Sequence, residues 1–275
     1  MKIDKVIIAT DNNPTYVSFW NVVSSIWSEI FKIQPILIFN GTVDEFNNLG
    51  LNVKEGEFFI VDKIPNISES RPDWGVTWSL FWGTSKFEND VCMLTGIDQI
   101  PLGNFFFRQI EQISNDDFVI GFSDAYKTHT KDTLGYFNTN TNVMFPSSHL
   151  VGKGKLFKEI FEINDSWVEE ITKVYSCKNL YHLNCHFYPG KLWGLDECYA
   201  SDKIVSYENK HKIHHLDIFW NFWHKNRIDL SVISANNIEL GKLKSGFYSE
   251  LTTKNYGLHK PIIDKIIEIL KQNII

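Results

Sequence analysis

"DVCMLTGIDQIPL", residues 90–102, is the stretch on which the reading of this chain turns. Val91, Cys92, Met93 and Leu94 make a short apolar run of strand character, and Thr95-Gly96 break it just before a lone acid, Asp98. With Pro101 three positions on, Asp98 reads as a plain turn residue. It reads equally as a ligand-facing carboxylate at a strand end. The surrounding elements decide which reading has room to operate.

Upstream, "KVIIAT" (5–10) is a strand entering the polar turn "DNNP". "TYVSFWNVVSSIWSEIF" (15–31) has the recurrence of one amphipathic helix, with Phe19, Val22, Val23, Ile26 and Ile30 on one side. "QPILIFNG" (34–41) and "FFIVDKI" (58–64) are further strands, and "WGVTWSLFWGTSKF" (74–87) is a helix rich in aromatics. Strand and helix thus alternate up to the opening stretch, which predicts parallel strands with helices over both faces. Downstream, "FVIGFS" (118–123) and "NVMFPSSHLVG" (142–152) read as strands, and residues 155–176 as one or two helices. "PIIDKIIEILKQNII" (261–275) spaces its Ile residues as a helix docked on the core. No repeat or low-complexity linker divides the chain. The expectation is a single α/β domain over 1–275, with a regular half, 1–102, and an irregular half, 103–275. In such sheets ligands gather at the carboxyl ends of the strands, where "ATDNN" (9–13) and "TGIDQIP" (95–101) would converge.

A chain of 275 residues with 43% hydrophobic content buries a core without disulfide or metal staples. Its formal charge of -6, with Arg only at 71, 108 and 227, argues against a nucleic-acid binder that relies on a basic face. Cys92, Cys177, Cys185 and Cys198 show no CxxC spacing, so zinc-ribbon and thioredoxin-like sites are disfavoured and reduced thiols are expected. The first apolar run is too short for a signal peptide, and no run approaches the roughly 20 apolar residues of a membrane span. The expected setting is cytoplasmic. Nine Trp residues make the aromatic share high; aromatics pack cores, and they also line pockets for flat groups such as sugar rings and bases.

No GxxxxGK[ST] loop is present and no GxGxxG follows the first strand, which counts against P-loop and dinucleotide-binding sites. Two early strands ending in polar loops, one of them in an acid, suit a nucleoside diphosphate held through a divalent cation. Such a cation takes one or two carboxylates and fills its shell with phosphate oxygens, so one Asp suffices when another ligand helps.

Four segments together resemble the nucleotide-sugar-dependent glycosyltransferases of the GT-A fold. They are "KVIIATDNNPTYVSFWNVVSSI" (5–26), "VCMLTGIDQIPL" (91–102), "WGLDE" (193–197) and "GLHKP" (257–261). The second covers the region of the Asp-x-Asp metal motif. It keeps the second acid as Asp98 and has Gly96 where the first would stand. The resemblance implies a GT-A-like (Rossmann-like) mixed sheet flanked by helices, with 1–102 binding the nucleotide sugar and 103–275 the acceptor. It implies transfer of a hexosyl or deoxyhexosyl group from a nucleoside diphosphate sugar donor to a glycan or other hydroxyl acceptor.

The resemblance also assigns roles. Asp98 and the late His259 would hold Mn²⁺ (or Mg²⁺), imidazole favouring manganese; His259 otherwise reads as a surface loop residue. Thr10, Asp11 and Asn13 would meet the base and ribose, or simply form a turn. Arg71, before the second long helix, would offer its fork to the pyrophosphate, or sit on a loop surface. Asp196 and Glu197 would supply the catalytic carboxylate, which takes the acceptor proton if the reaction inverts, or would contact the substrate if it retains. Trp193 beside them is an apolar wall on the acceptor side, where Asn142 would also lie. In the bland alternative the acidic pair starts a helix, Asp196 capping and Glu197 facing the dipole. Lys155 would meet a phosphate or be a solvated lysine, and "HKIHH" (211–215) would bind metal or form a solvated segment before a helix. Two rival functions remain: a catalytically silent nucleotide- or sugar-binding protein of the same fold, suggested by Gly96, and a nucleotidyltransferase, disfavoured by the missing Gly-rich phosphate loop.

Overall fold

The computed structural model describes residues 1–54, 57–63, 72–124, 145–176, 195–216, 227–230, 238, 242, 250–253 and 256–274. Arg71, Asn142 and Trp193 lie outside the described residues, as do Cys177 and Cys185. Strands β1 (Lys5–Asp11), β2 (Gln34–Asn40), β3 (Phe58–Val61) and β4 (Val91–Leu94) run parallel. β6 (Phe118–Gly121), β7 (Leu150–Lys153) and β8 (Ile213–Leu216) extend them into one seven-stranded sheet of order β3-β2-β1-β4-β7-β6-β8. Only β7 is antiparallel to its neighbours, so the sheet is mixed.

The inner stretches of the central strands are apolar because both faces are covered, whereas the edge strand β8, Ile-His-His-Leu, is only partly buried. Their alternate side chains divide between two cores. Ile7, Ile36, Ile38, Cys92, Leu94, Phe118 and Ile120 pack under helices α4 (Pro72–Thr84), α6 (Gly154–Phe161), α7 (Trp167–Ser176) and α8 (Leu195–Ser206). Val6, Ile8, Leu37, Phe39, Met93, Val119 and Val151 pack on the opposite face against the N-terminal helices and α9 (Tyr256–Ile274). In α9 it is Ile263, Ile266, Ile269 and Leu270 that are buried, as the Ile spacing predicts, and the helix begins before Pro261 rather than at it. α4 comes close to the sheet at Gly83, where a Cβ would lie 2.4 Å from Ile38 Cδ1.

The predicted single helix over 15–31 is divided into α1 (Pro14–Val17), α2 (Trp20–Ser25) and a π-helical turn, Ile26–Ile30. Asn13 caps α1 through its side-chain oxygen, which accepts from Thr15 N at 3.0 Å. The break and the wide turn rotate the buried stripe, so that Trp20 and Trp27 are both inside while Val22 is half-buried. Residues 155–176 form two helices, α6 and α7, with Glu162 in the left-handed region closing the first. "HKIHH" corrects to a 3₁₀ turn, Lys210–Lys212, followed by the edge strand β8, not by a helix. Lys155 sits at the start of α6, beyond the far edge of the sheet, 3.8 Å from Asp116, which removes it from any phosphate at the carboxyl edge.

A second sheet, β5 (Gln99–Pro101), β10 (Glu250–Thr252) and β9 (Arg227–Asp229), ties the segment after Asp98 to the last quarter of the chain. No helix among the described residues is long and apolar enough to cross a membrane.

Candidate functional site

The strand directions bring the carboxyl ends of β1, β2, β3, β4, β6 and β8, and the amino end of β7, to one edge. Two bulky residues there, Phe122 and His149, have φ of 57° and 62°, with their rings 4.7 Å apart. Left-handed backbone at such residues is held only by its surroundings, and such strain clusters at working sites.

At the end of β1, Thr10 is buried and Asp11 stands opposite Asn40. Asp11 Oδ1 accepts from Asn13 N at 2.9 Å, and its Oδ2 is 3.7 Å from Lys63 Nζ, which also donates to Asn12 Oδ1 at 3.1 Å. The loop therefore holds its own shape, with Asn13 spending its oxygen on the α1 cap. Asp11 keeps its carboxylate on the edge.

At the end of β4, Gln99 Oε1 accepts from Gly96 N at 2.7 Å and from Thr95 Oγ1 at 3.0 Å, drawing residues 95–99 into a closed turn. Asp98 is half-buried on it. β5 then pairs antiparallel with β10, Gln99 opposite Thr252. One step further in that register sets Thr253 at the level of Asp98. Thr253 Oγ1 lies 2.5 Å from His259 Nδ1 in the first turn of α9. Asp98 and His259, 161 positions apart, are thus brought to the same end of the small sheet, and His259 lies on a helix, not a loop. The bond at Nδ1 leaves Nε2 as the atom His259 can offer to a ligand.

Glu197 is not an exposed acid at a helix start. Asp196 is the second residue of α8, and Glu197 beside it is buried, its Oε1 accepting from Ser147 N at 3.1 Å. Ser201 Oγ, one turn on, accepts from Phe145 N at 2.8 Å. Together they fasten α8 to the segment that leads into β7. Sequence reasoning passed over Asp124, three residues beyond β6. Its Oδ1 is buried, with no hydrogen-bond partner among the described residues. The signal available was the same as for Asp98, an acid following an apolar strand, here within "FVIGFSD".

Among the described residues no cluster of three or more His, Cys, Asp or Glu side chains could hold a metal by itself. Cys92, inside β4, is a free buried thiol whose pKa burial pushes far up, so it is neither nucleophile nor ligand.

A solved structure of an active-site mutant of LgtC superposes with a TM-score of 0.50 at 11% identity, covering 98% of this chain and 95% of that one. The chain has the GT-A fold. The galactosyltransferase LgtC with donor and acceptor sugar analogues gives 0.47 at 10% identity, covering 98% of this chain and 96% of that one. Mouse xyloside xylosyltransferase 1 gives 0.41 at 10% identity, over 92% of this chain and 97% of that one. No protein-family model and no curated protein sequence matches the chain. In the GT-A frame, the edge that carries Asp11, Asp98, Asp124 and Glu197 is the carboxyl edge of the main sheet, where open α/β sheets bind ligands.

Proposed function

We propose that the chain is a glycosyltransferase that moves a sugar from a nucleoside diphosphate to a glycan or other hydroxyl acceptor. The observation that carries this is the strand register that brings Asp98 and the Thr253–His259 pair to the same end of the small sheet, in a chain with the GT-A fold. In this reading residues 1–102 bind the donor and residues 103–275 bind the acceptor.

A half-buried carboxylate and an imidazole whose Nε2 is left to a ligand fit Mn²⁺ or Mg²⁺ completed by diphosphate oxygens. Such a cation neutralises the charge that develops on the leaving diphosphate. Thr10, Asp11 and Asn13 line the base and ribose side, and Arg71 is proposed for the pyrophosphate. On the acceptor side Asp196 is the proposed base, with Asn142 and Trp193 as proposed acceptor contacts. Glu197, already accepting from Ser147 N, holds that wall in place. Asp124 supplies a further carboxylate oxygen for an acceptor or donor hydroxyl. A second reading, a silent binder of nucleotide or sugar, draws on Gly96.

Incubation with a panel of nucleoside diphosphate sugars and MnCl₂, followed by chromatography of released nucleotide, separates the two. Transfer or hydrolysis that falls roughly 10²- to 10⁴-fold in Asp196→Asn supports the base. Ligand-induced stabilisation without any turnover supports the silent binder. Neither stabilisation nor turnover with any donor would sink the proposal.

A further inference from the structure

Resting on that reading of the site, we infer that the 95–99 turn is built for a single carboxylate, and that Gly96 and Gln99 are the positioning residues that aim Asp98. A Cβ at Gly96 would lie 2.8 Å from Asp98 Oδ1 and 3.2 Å from Gln99 Cγ and Cδ. Gly96 is absent from the left-handed positions, so glycine is needed here for space and not for backbone freedom. The volume a side chain at 96 would fill is taken by the carboxylate of Asp98 folding back over the turn. An acid at 96 and the present direction of Asp98 therefore exclude each other.

Gln99 completes the device. Its amide oxygen takes the Gly96 N–H and the Thr95 hydroxyl, two donors on the concave side of the turn, and does so without adding charge beside Asp98. Beside it lies a small pocket of about 30 Å³, bordered by Thr95, Gln99, Trp27 and His149. With one protein carboxylate, a divalent cation is underliganded until diphosphate oxygens arrive. Cation and nucleotide would then bind as a unit, with Mn²⁺ alone binding weakly and nucleotide binding strongly Mn²⁺-dependent.

The test uses ligand-free melting and calorimetric titration of uridine, guanosine, adenosine and thymidine diphosphates, each with and without MnCl₂, plus MnCl₂ alone. Because the atom nearest to a Cβ at 96 is the end of a short side chain that can rotate, Gly96→Ala should melt like the wild type. It should nevertheless lose about 10-fold in Mn²⁺-dependent nucleotide affinity, the scale of a lost positioning contact. Gly96→Asp should bind no more tightly than the wild type. Gln99→Met, which removes the accepting oxygen, should lose affinity. Unchanged affinity in Gly96→Ala, or tighter binding in Gly96→Asp, would overturn the inference and leave the site reading standing. A wild type that binds none of the four nucleotides overturns both.

Discussion

Cys92 and Glu197 show how burial changes what a reactive side chain can do. The Cys92 thiol is raised well above the usual thiol range, first by desolvation and then by the Asp90 charge, so almost no thiolate forms at neutral pH. Under native conditions near neutral pH, peptide mapping after iodoacetamide treatment should find Cys92 unmodified, with labelling appearing only on addition of denaturant. Native labelling of that peptide would contradict its burial. Glu197 holds the Ser147 amide, so Glu197→Ala, which leaves a part-buried donor without that acceptor, should cost about 1 kcal/mol in denaturant unfolding. Glu197→Gln keeps an oxygen for that amide and should cost far less, with turnover close to wild type. A loss of about 100-fold or more in Glu197→Gln at unchanged stability would return the base role to Glu197. From the sequence, Glu197 was legible as an acid at a helix start, but its partner lies 50 positions away and no local pattern points to it.

At the scale of elements, two contacts carry testable energy. Glu170, fully buried on α7, accepts from Trp78 Nε1 of α4 at 2.9 Å and from Asn164 N at 2.7 Å, with Lys173 at 2.8 Å. Glu170→Ala leaves two donors unmet and should cost about 3 kcal/mol, and a double-mutant cycle with Trp78→Phe should show coupling of about 1 kcal/mol or more. Zero coupling would mean that the indole does not depend on Glu170. Lys271, in the last turns of α9, pairs with Glu29 of the π turn at 2.8 Å. Hydrogen bonds from Lys271 and Ser25 lower the Glu29 pKa below its ordinary value. A depressed carboxylate stabilises the fold above its unfolded pKa, and that contribution is lost as pH falls through the folded value. The pair is exposed, so Lys271→Met should cost only about 0.5 kcal/mol near neutral pH and nothing at an acid pH low enough to protonate Glu29. Melting curves of both proteins at the two pH values check the sign. A gap that widens on acidification would refute it.

For the molecule as a whole, the middle of the main sheet is the most protected region. β1 lies between β2 and β4, and both faces of all three are covered by the two cores. Hydrogen exchange should find the amides of Ile7, Ile8, Leu37, Ile38 and Met93 the slowest. The edge strand β8, whose burial is partial, should exchange earlier. Faster exchange in β1 than in β8 would mean that the two cores do not close on a common sheet.

The parallel α/β order of the first hundred residues was legible because apolar runs of strand length alternate with longer periodic segments, a property of local sequence. The same locality let Asp11 and Asp98 be read as strand-end acids, and the Ile spacing of α9 as a buried stripe. The break of the first helix at residues 18–19 was not legible, since it serves two indoles, Trp20 and Trp27, whose burial depends on packing partners elsewhere. Nor was the fate of the late histidine: the Thr253–His259 bond is local, but the pairing of β5 with β10 that carries it towards Asp98 joins segments about 150 residues apart, and hydrogen-bond register between distant strands leaves no trace in either strand alone. Sequence determined which residues end the strands. Only the tertiary structure decided which of those ends meet, because meeting is set by sheet order and strand direction, to which the whole chain contributes.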